Sequence, residues 1–190
     1  VTQTQRAVEL TRSDGSCIIR FTRPDVRNPL SVAILETLDR MLDDVGTGTR
    51  LTFTGVDDVF ASGADLREIA NVHGYTAREF SLRGQRLMAR IAELEQETIA
   101  AINGYCYGGA LDLALACDHR IASPNATFAH PGASLGIITG WGGTQRLPRL
   151  VGTANALEMF FTARPIDAMR ALEIGLIDTI DDDPLSTALR

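Results

Sequence analysis

Short apolar runs rich in β-formers alternate along this chain with longer segments whose apolar residues recur at helical spacing, and that alternation restricts the fold more than any other feature. CIIRF (17–21) precedes a helical stretch from Ser31 to Val45, and RLTFTG (50–55) precedes another from Ala64 to about Ala70. Between Thr76 and Gln96, the residues Phe80, Leu87, Met88, Ile91 and Leu94 mark one face of an amphipathic helix that should lie over a sheet. TIAAI (98–102) reads as a buried strand, HRIAS (119–123) as another, and TFAH (127–130) as a short extended piece. Helices are expected from Gly143 onward and over Ala154 to Phe161, while RPIDAMRALEIGLIDTI (164–180) reads as a helix, Gly175 as its terminator and a final strand. The pattern predicts the α/β class, built from β-α units. A chain of 190 residues has enough apolar surface for one core without staples, so a single domain over 1–190 is expected. Its core should span about 1–150, with a helical region from about 151 that looks shortened, because DDDPLSTALR (181–190) ends on what reads as the start of another helix.

Composition removes several function classes. A formal net charge of -6 argues against a nucleic-acid surface, which needs clustered Lys and Arg. No stretch approaches the roughly 18 apolar residues of a membrane span, and VTQTQRAVEL lacks the apolar segment of a signal peptide. Neither nucleic acid nor membrane is an expected partner, although a chain that begins at Val1 leaves a removed leader open. Cys17, Cys106 and Cys117 each lie in an apolar run without CxxC or His spacing, so buried free thiols, a reducing cytoplasmic location and no metal site are expected.

Three segments place glycines at helix starts: VFASGADLREIA (59–70), GYCYGGALDLAL (104–115) and GIITGWGGTQRL (136–147). In the first, Ser62 followed by Asp65 suits an N-cap with a capping box, and Gly63 permits a tight turn into the helix. Free N–H groups at a helix start favour negative charge, so two such starts converging can hold an oxyanion. The alternative is that these glycines only let a helix pack closely on a strand. A dinucleotide site has little support, since neither Gly63 nor the Gly108–Gly109 pair belongs to a GxGxxG and no P-loop GK[ST] occurs.

VFASGADLREI, AAINGYCYGGALDLALACDHRIASPNATFAHPGASLGI and GWGGTQRLPRLVG occur in that order and together resemble the enoyl-CoA hydratase/isomerase, or crotonase, superfamily. The resemblance runs from about Ile18 to Ile180, with FTRPDVRNPLS similar to the family's first strand-to-helix turn and FTARPIDAMRALEIGLID similar to its late helical region. It implies a crotonase-like fold of repeated β-β-α units. It also implies an acyl-CoA substrate, or an acyl-carrier-protein thioester, with coenzyme A entering as part of the substrate and no permanently bound cofactor. A homotrimer or hexamer is the family's usual assembly.

Residue by residue, the resemblance makes the amides of Ala64 and Gly109 the pair that polarises a thioester carbonyl and stabilises its enolate. Ser62, Gly63, Asp65 and Leu66 match the segment around the adenine and the pantetheine arm, Arg23 matches a basic residue near the CoA phosphates, and Tyr107 and Gly108 precede the oxyanion helix. Asp112 falls where the hydratases place the first of two catalytic glutamates, on that same helix; otherwise it simply complements the helix dipole. Gly132 stands where the second glutamate would be, and Gly140 where dienoyl isomerases and a dehalogenase branch carry a functional carboxylate. Hydration wants one group to take a proton from water and one to deliver a proton to the α-carbon, and only one is evident. His130, Tyr107, Thr139 and Glu68 are the nearby polar substitutes, although His130 also reads as a structural histidine and Glu68 as a surface partner of Arg67 or Arg20. Gly132 can instead open room for a bulkier acyl group. Hydration of a 2-enoyl-CoA is the nominal reaction. A decarboxylase, thioesterase or isomerase on the same fold, or an idle subunit that only binds acyl thioesters, are the alternatives.

Overall fold

Residues 7–13, 15–46 and 50–190 are described by the computed structural model; residues 1–6, where the question of a leader falls, lie outside the described residues. β1 (Val8–Ser13) and β2 (Ser16–Phe21) form an antiparallel hairpin. Onto β2 are added, all in parallel, β4 (Arg50–Thr54), β7 (Thr98–Ile102), β9 (His119–Ala122) and β12 (Thr179–Ile180), giving one six-stranded sheet. TIAAI is β7, and all five of its residues are buried, as a parallel strand covered on both faces requires. Ala100 and Ile102 face the main core; Ile99 and Ala101 pack with Ile121 and with Ala188 of α9 (Pro184–Ala188).

The strands β4, β7 and β9 are each followed by a three-residue strand that leaves the large sheet: β5 (Val59–Ala61), β8 (Tyr105–Tyr107) and β10 (Thr127–Ala129). These join β11 (Ile166–Asp167) in a second sheet of order β11-β10-β8-β5. A third pairing sets β3 (Pro29–Leu30) parallel to β6 (Gly63–Ala64). The repeating unit is therefore β-β-α, as the resemblance implies, and not the simple β-α that the periodicity alone predicts. Strands of three residues are too short to show an alternation of their own.

Helices follow the second strands. α1 (Val32–Asp44) begins at Ser31, whose Oγ accepts the Ile34 amide at 3.3 Å, and it buries Ile34, Leu35, Leu38 and Leu42 along one stripe. α3 (Tyr75–Ala92) buries Leu87, Met88 and Ile91, while Phe80 and Leu94 are only partly covered. α4 (Gly109–Ala114) is buried throughout its last five residues. α5 (Gly132–Leu135), α6 (Gly143–Val151), α7 (Thr153–Thr162) and α8 (Ala168–Glu173) complete the set. Gly175 follows α8 with φ 76°, the left-handed position expected of a terminator.

One expected cap is corrected. α2 (Leu66–Ile69) is capped by Asp65, which accepts the Arg67 amide at 2.9 Å, whereas Ser62 lies before the two-residue strand β6 and caps nothing. The carboxylate wins because an extended Gly63–Ala64 delays the helix by three residues beyond Ser62.

Most buried side chains run as one main cluster from Val8 to Ile177, with Phe21, Phe53, Phe60 and Phe128 among its largest fully enclosed members. Cys17, Cys106 and Cys117 are free and buried in it. Arg120, 5 % exposed, donates to the carbonyls of Cys117 at 2.7 Å and Leu176 at 2.9 Å, and so ties the end of the α4 segment to the chain entering β12. Among the described residues no helix is long and apolar enough to cross a membrane, and no group of His, Cys, Asp and Glu is arranged to hold a metal ion.

Candidate active site

The three glycine-marked segments meet at one cavity of about 270 Å³. Ser62, Ala64 and Leu66 reach it from the β6–α2 side, and Gly108, Gly109 and Asp112 from the start of α4. Gly132 and Gly140 close the third side, with His130 and Thr139. The far wall is apolar, from Ile69, Phe80, Leu135 and Ile138.

Glycine is required where β6 crosses α4. Gly63 has φ 83°, and a Cβ there would lie 2.4 Å from the Gly109 nitrogen and 2.7 Å from the Tyr107 carbonyl oxygen. A Cβ on Gly109 would in turn lie 3.3 Å from the Ala64 nitrogen. The two amides are thus neighbours on the cavity wall. That of Gly109 opens α4, where the first N–H groups have no intrahelical acceptor and the dipole is positive. Trp141, 3 % exposed, backs this wall: a Cβ on Gly109 or on Gly84 of α3 would fall within 2.3 Å of its indole ring. Nothing in the sequence reading pointed to Trp141. Its only signal was a lone tryptophan beside a glycine pair.

Asp112, at the first turn of α4, is 1 % exposed. Its Oδ2 accepts a hydrogen bond from Thr139 Oγ1, and its Oδ1 has no hydrogen-bond partner in the protein. Burial raises the carboxyl to about 6, held back by the Thr139 hydroxyl, by the Trp141 and Gly143 amides, which lie near the carboxylate but outside hydrogen-bond geometry, and by the Arg146 charge. His130, at the end of β10, is 2 % exposed and lies with Nε2 3.6 Å from Asp112 Oδ1, too far for a hydrogen bond. Neither ring nitrogen has a partner in the protein, and burial pushes the imidazole down to about 4. At neutral pH the histidine is uncharged and the aspartate mostly ionised. Unpaired buried polar atoms typically cost about 1–3 kcal/mol each, so this pair detracts from the stability of the fold.

Three sequence expectations meet a different geometry. Tyr107 stacks on Tyr105 with ring centroids 3.6 Å apart and does not line the cavity, because alternation along β8 sends its side chain to another face. Gly132 does line it, yet a Cβ there would lie 2.5 Å from the Ile137 carbonyl oxygen, so the expected room for a larger acyl group is filled by the Ile137 backbone. Gly140 has Ser81 Oγ 3.2 Å from its Cβ position. Glu68 pairs with neither Arg67 nor Arg20 but accepts the Val32 amide at 2.8 Å at the head of α1.

Arg23 and Asp65 lie apart from this cavity, in a second of about 290 Å³ that Arg67 and Ser31 also line. The two cavities lie on either side of the 62–67 segment: Ser62, Ala64 and Leu66 face the first, Asp65 and Arg67 the second. Arg23 pairs with Asp25 at 3.2 Å, and Arg67 with Asp65 at 2.7 Å.

The family model described as enoyl-CoA hydratase/isomerase matches residues 11–186. The short-chain-enoyl-CoA hydratase of Clostridium acetobutylicum is 36 % identical over 177 residues, which cover 91 % of this chain and 68 % of that protein. The crotonyl-CoA hydratase of Syntrophomonas wolfei is 37 % identical, covering 90 % of this chain and 67 % of that one. Among solved structures, DspI of Pseudomonas aeruginosa superposes with a TM-score of 0.92 at 32 % identity, covering 100 % of this chain and 80 % of that one.

Proposed function

The chain belongs to the enoyl-CoA hydratase/isomerase family, and from that premise we propose that it adds water across the double bond of a 2-enoyl thioester, with Asp112 as the acid–base group and the Ala64 and Gly109 amides as the oxyanion hole. The observation that carries this reading is the buried Asp112 carboxylate, held by Thr139 through one oxygen and unpaired at the other, on the helix whose first amide adjoins that of Ala64.

The thioester oxygen accepts hydrogen bonds from the two amides, which draws charge from the double bond toward the carbonyl. A water oxygen bonds to the β-carbon while Asp112 takes one of its protons, and the π pair of the double bond moves into the enolate. The enolate then takes that proton at the α-carbon from Asp112, so H and OH have been added and the carboxylate is restored. A carboxyl raised to about 6 suits both halves, since it is mostly ionised before the first step and acidic enough for the second. Decarboxylation needs no base and leaves a buried carboxylate raised to about 6 without a role, so the presence of Asp112 favours hydration.

The substrate is proposed to be carried as a coenzyme A thioester, with Arg23 and Arg67 at the second cavity available to its phosphates once they exchange Asp25 and Asp65 for them. No permanent cofactor enters the scheme. A trimer or hexamer and a cytoplasmic location accompany this reading. It is tested by following loss of the conjugated enoyl thioester absorbance with a short trans-2-enoyl-CoA. Turnover by the wild type that falls by at least 100-fold in Asp112→Asn is expected. Binding of the ester without turnover would reject hydration.

A further inference from the structure

Hydration needs its water held at a fixed angle to the double bond, and with Gly132 in place of a second carboxylate one more polar group is required near Asp112. Within the cavity lining, His130 lies closest to that requirement. Its Nε2 faces Asp112 Oδ1 across 3.6 Å, both side chains are at least 98 % buried, and neither of these two atoms has a hydrogen-bond partner in the protein. Both residues line the cavity that the Gly109 amide opens onto. A gap of this size is too long for a direct bond, yet one oxygen atom can lie within hydrogen-bond distance of both sides.

The other polar side chains of the lining do not offer this. Thr139 is committed to Asp112 Oδ2, Ser81 lies beside Gly140, and Ser62 enters from the β6–α2 side. The His130 ring is held in place by Phe160 of α7, with ring centroids 5.1 Å apart, so its direction is set by packing as well as by β10.

We propose that His130 Nε2 and Asp112 Oδ1 together hold the water that adds to the double bond, His130 supplying the second polar group that Gly132 lacks. The water donates one hydrogen bond to the carboxylate and one to the imidazole lone pair, which leaves an oxygen lone pair for the β-carbon. Asp112 still takes and returns the proton. His130 acts on the angle of attack and not on substrate affinity. The inference rests on the hydration reading.

The test compares steady-state hydration of a short trans-2-enoyl-CoA by wild type, His130→Phe, His130→Leu and His130→Gln, each checked for its melting transition. Both apolar variants are expected to lose about 100-fold in kcat with KM within two-fold of the wild type, and Gln, which keeps a polar atom, to recover at least ten-fold of that loss. Phe keeps a ring against Phe160 and Leu does not, so one fold-preserving apolar variant suffices. A folded apolar variant with wild-type kcat overturns the inference while leaving hydration intact, as does a Gln variant no better than Phe or Leu. A wild type that hydrates no enoyl-CoA removes the reading beneath the inference, and the inference with it.

Discussion

Asp112 illustrates how a residue that looks out of place becomes intelligible from its surroundings. An aspartate in a nearly all-buried helix is costly as a carboxylate, and burial lifts it to about 6. Two predictions follow from that sign. With the ionised form as the proposed base, kcat/KM should fall on the acid side with a midpoint near 6, read from a pH–rate profile. Stability runs the other way. The folded state binds this proton more tightly than the unfolded chain, so the group's contribution worsens as pH rises from about 4 to about 6 and stays unfavourable above. Asp112→Asn should therefore melt at least as high as wild type at pH 7.5, an advantage that shrinks toward pH 4, while losing activity. Gly132 gives a prediction of opposite character. Because a Cβ there meets the Ile137 carbonyl at 2.5 Å, Gly132→Glu should cost about 1–3 kcal/mol and lower the melting temperature by several degrees rather than create a working second carboxylate. The sequence marks Asp112 and Gly132 equally well, but that Ile137 fills the space beside Gly132 depends on the turn 132–138, which no local pattern encodes.

At the scale of elements, the site is made by backbones that approach closely. Strand β6 lies against the start of α4 because Gly63 has no side chain and takes a positive φ. Gly63→Ala directs a methyl group at the Gly109 amide, and a kcat loss of about 100-fold is expected from disturbing that donor, measured on the same enoyl-CoA with the fold checked by circular dichroism. Gly84→Ala strikes the Trp141 ring at 2.2 Å and should destabilise by about 1–3 kcal/mol in urea unfolding, through the contact that backs the cavity wall at Gly109. Long elements were legible: Ser31 and Gly175 signalled the start of α1 and the end of α8, and TIAAI reads as a buried strand. Of the three-residue strands of the second sheet, β10 is legible as the extended piece TFAH (127–130), whereas β5 and β8 are defined by their partners. The same holds for the cap of α2. Ser62 and Asp65 both have capping side chains, and only the pairing of β6 with β3 decides between them.

Across the whole molecule, repeated β-β-α units bring segments distant in sequence to one cavity. Arg120 supports that arrangement from behind, with its guanidinium buried among carbonyls of the α4–β9 connection and of Leu176. Arg120→Met should cost more than about 3 kcal/mol in urea unfolding, since those carbonyls are left without their donor. Hydration of an enoyl thioester in the cavity walled by Ala64, Gly109 and Asp112 is tested by turnover of a short trans-2-enoyl-CoA by wild type beside Asp112→Asn. Hydration by the wild type that falls at least 100-fold in the variant, with KM little changed, is the predicted result. Equal turnover by the two proteins would contradict it, and would move the acid–base chemistry away from Asp112.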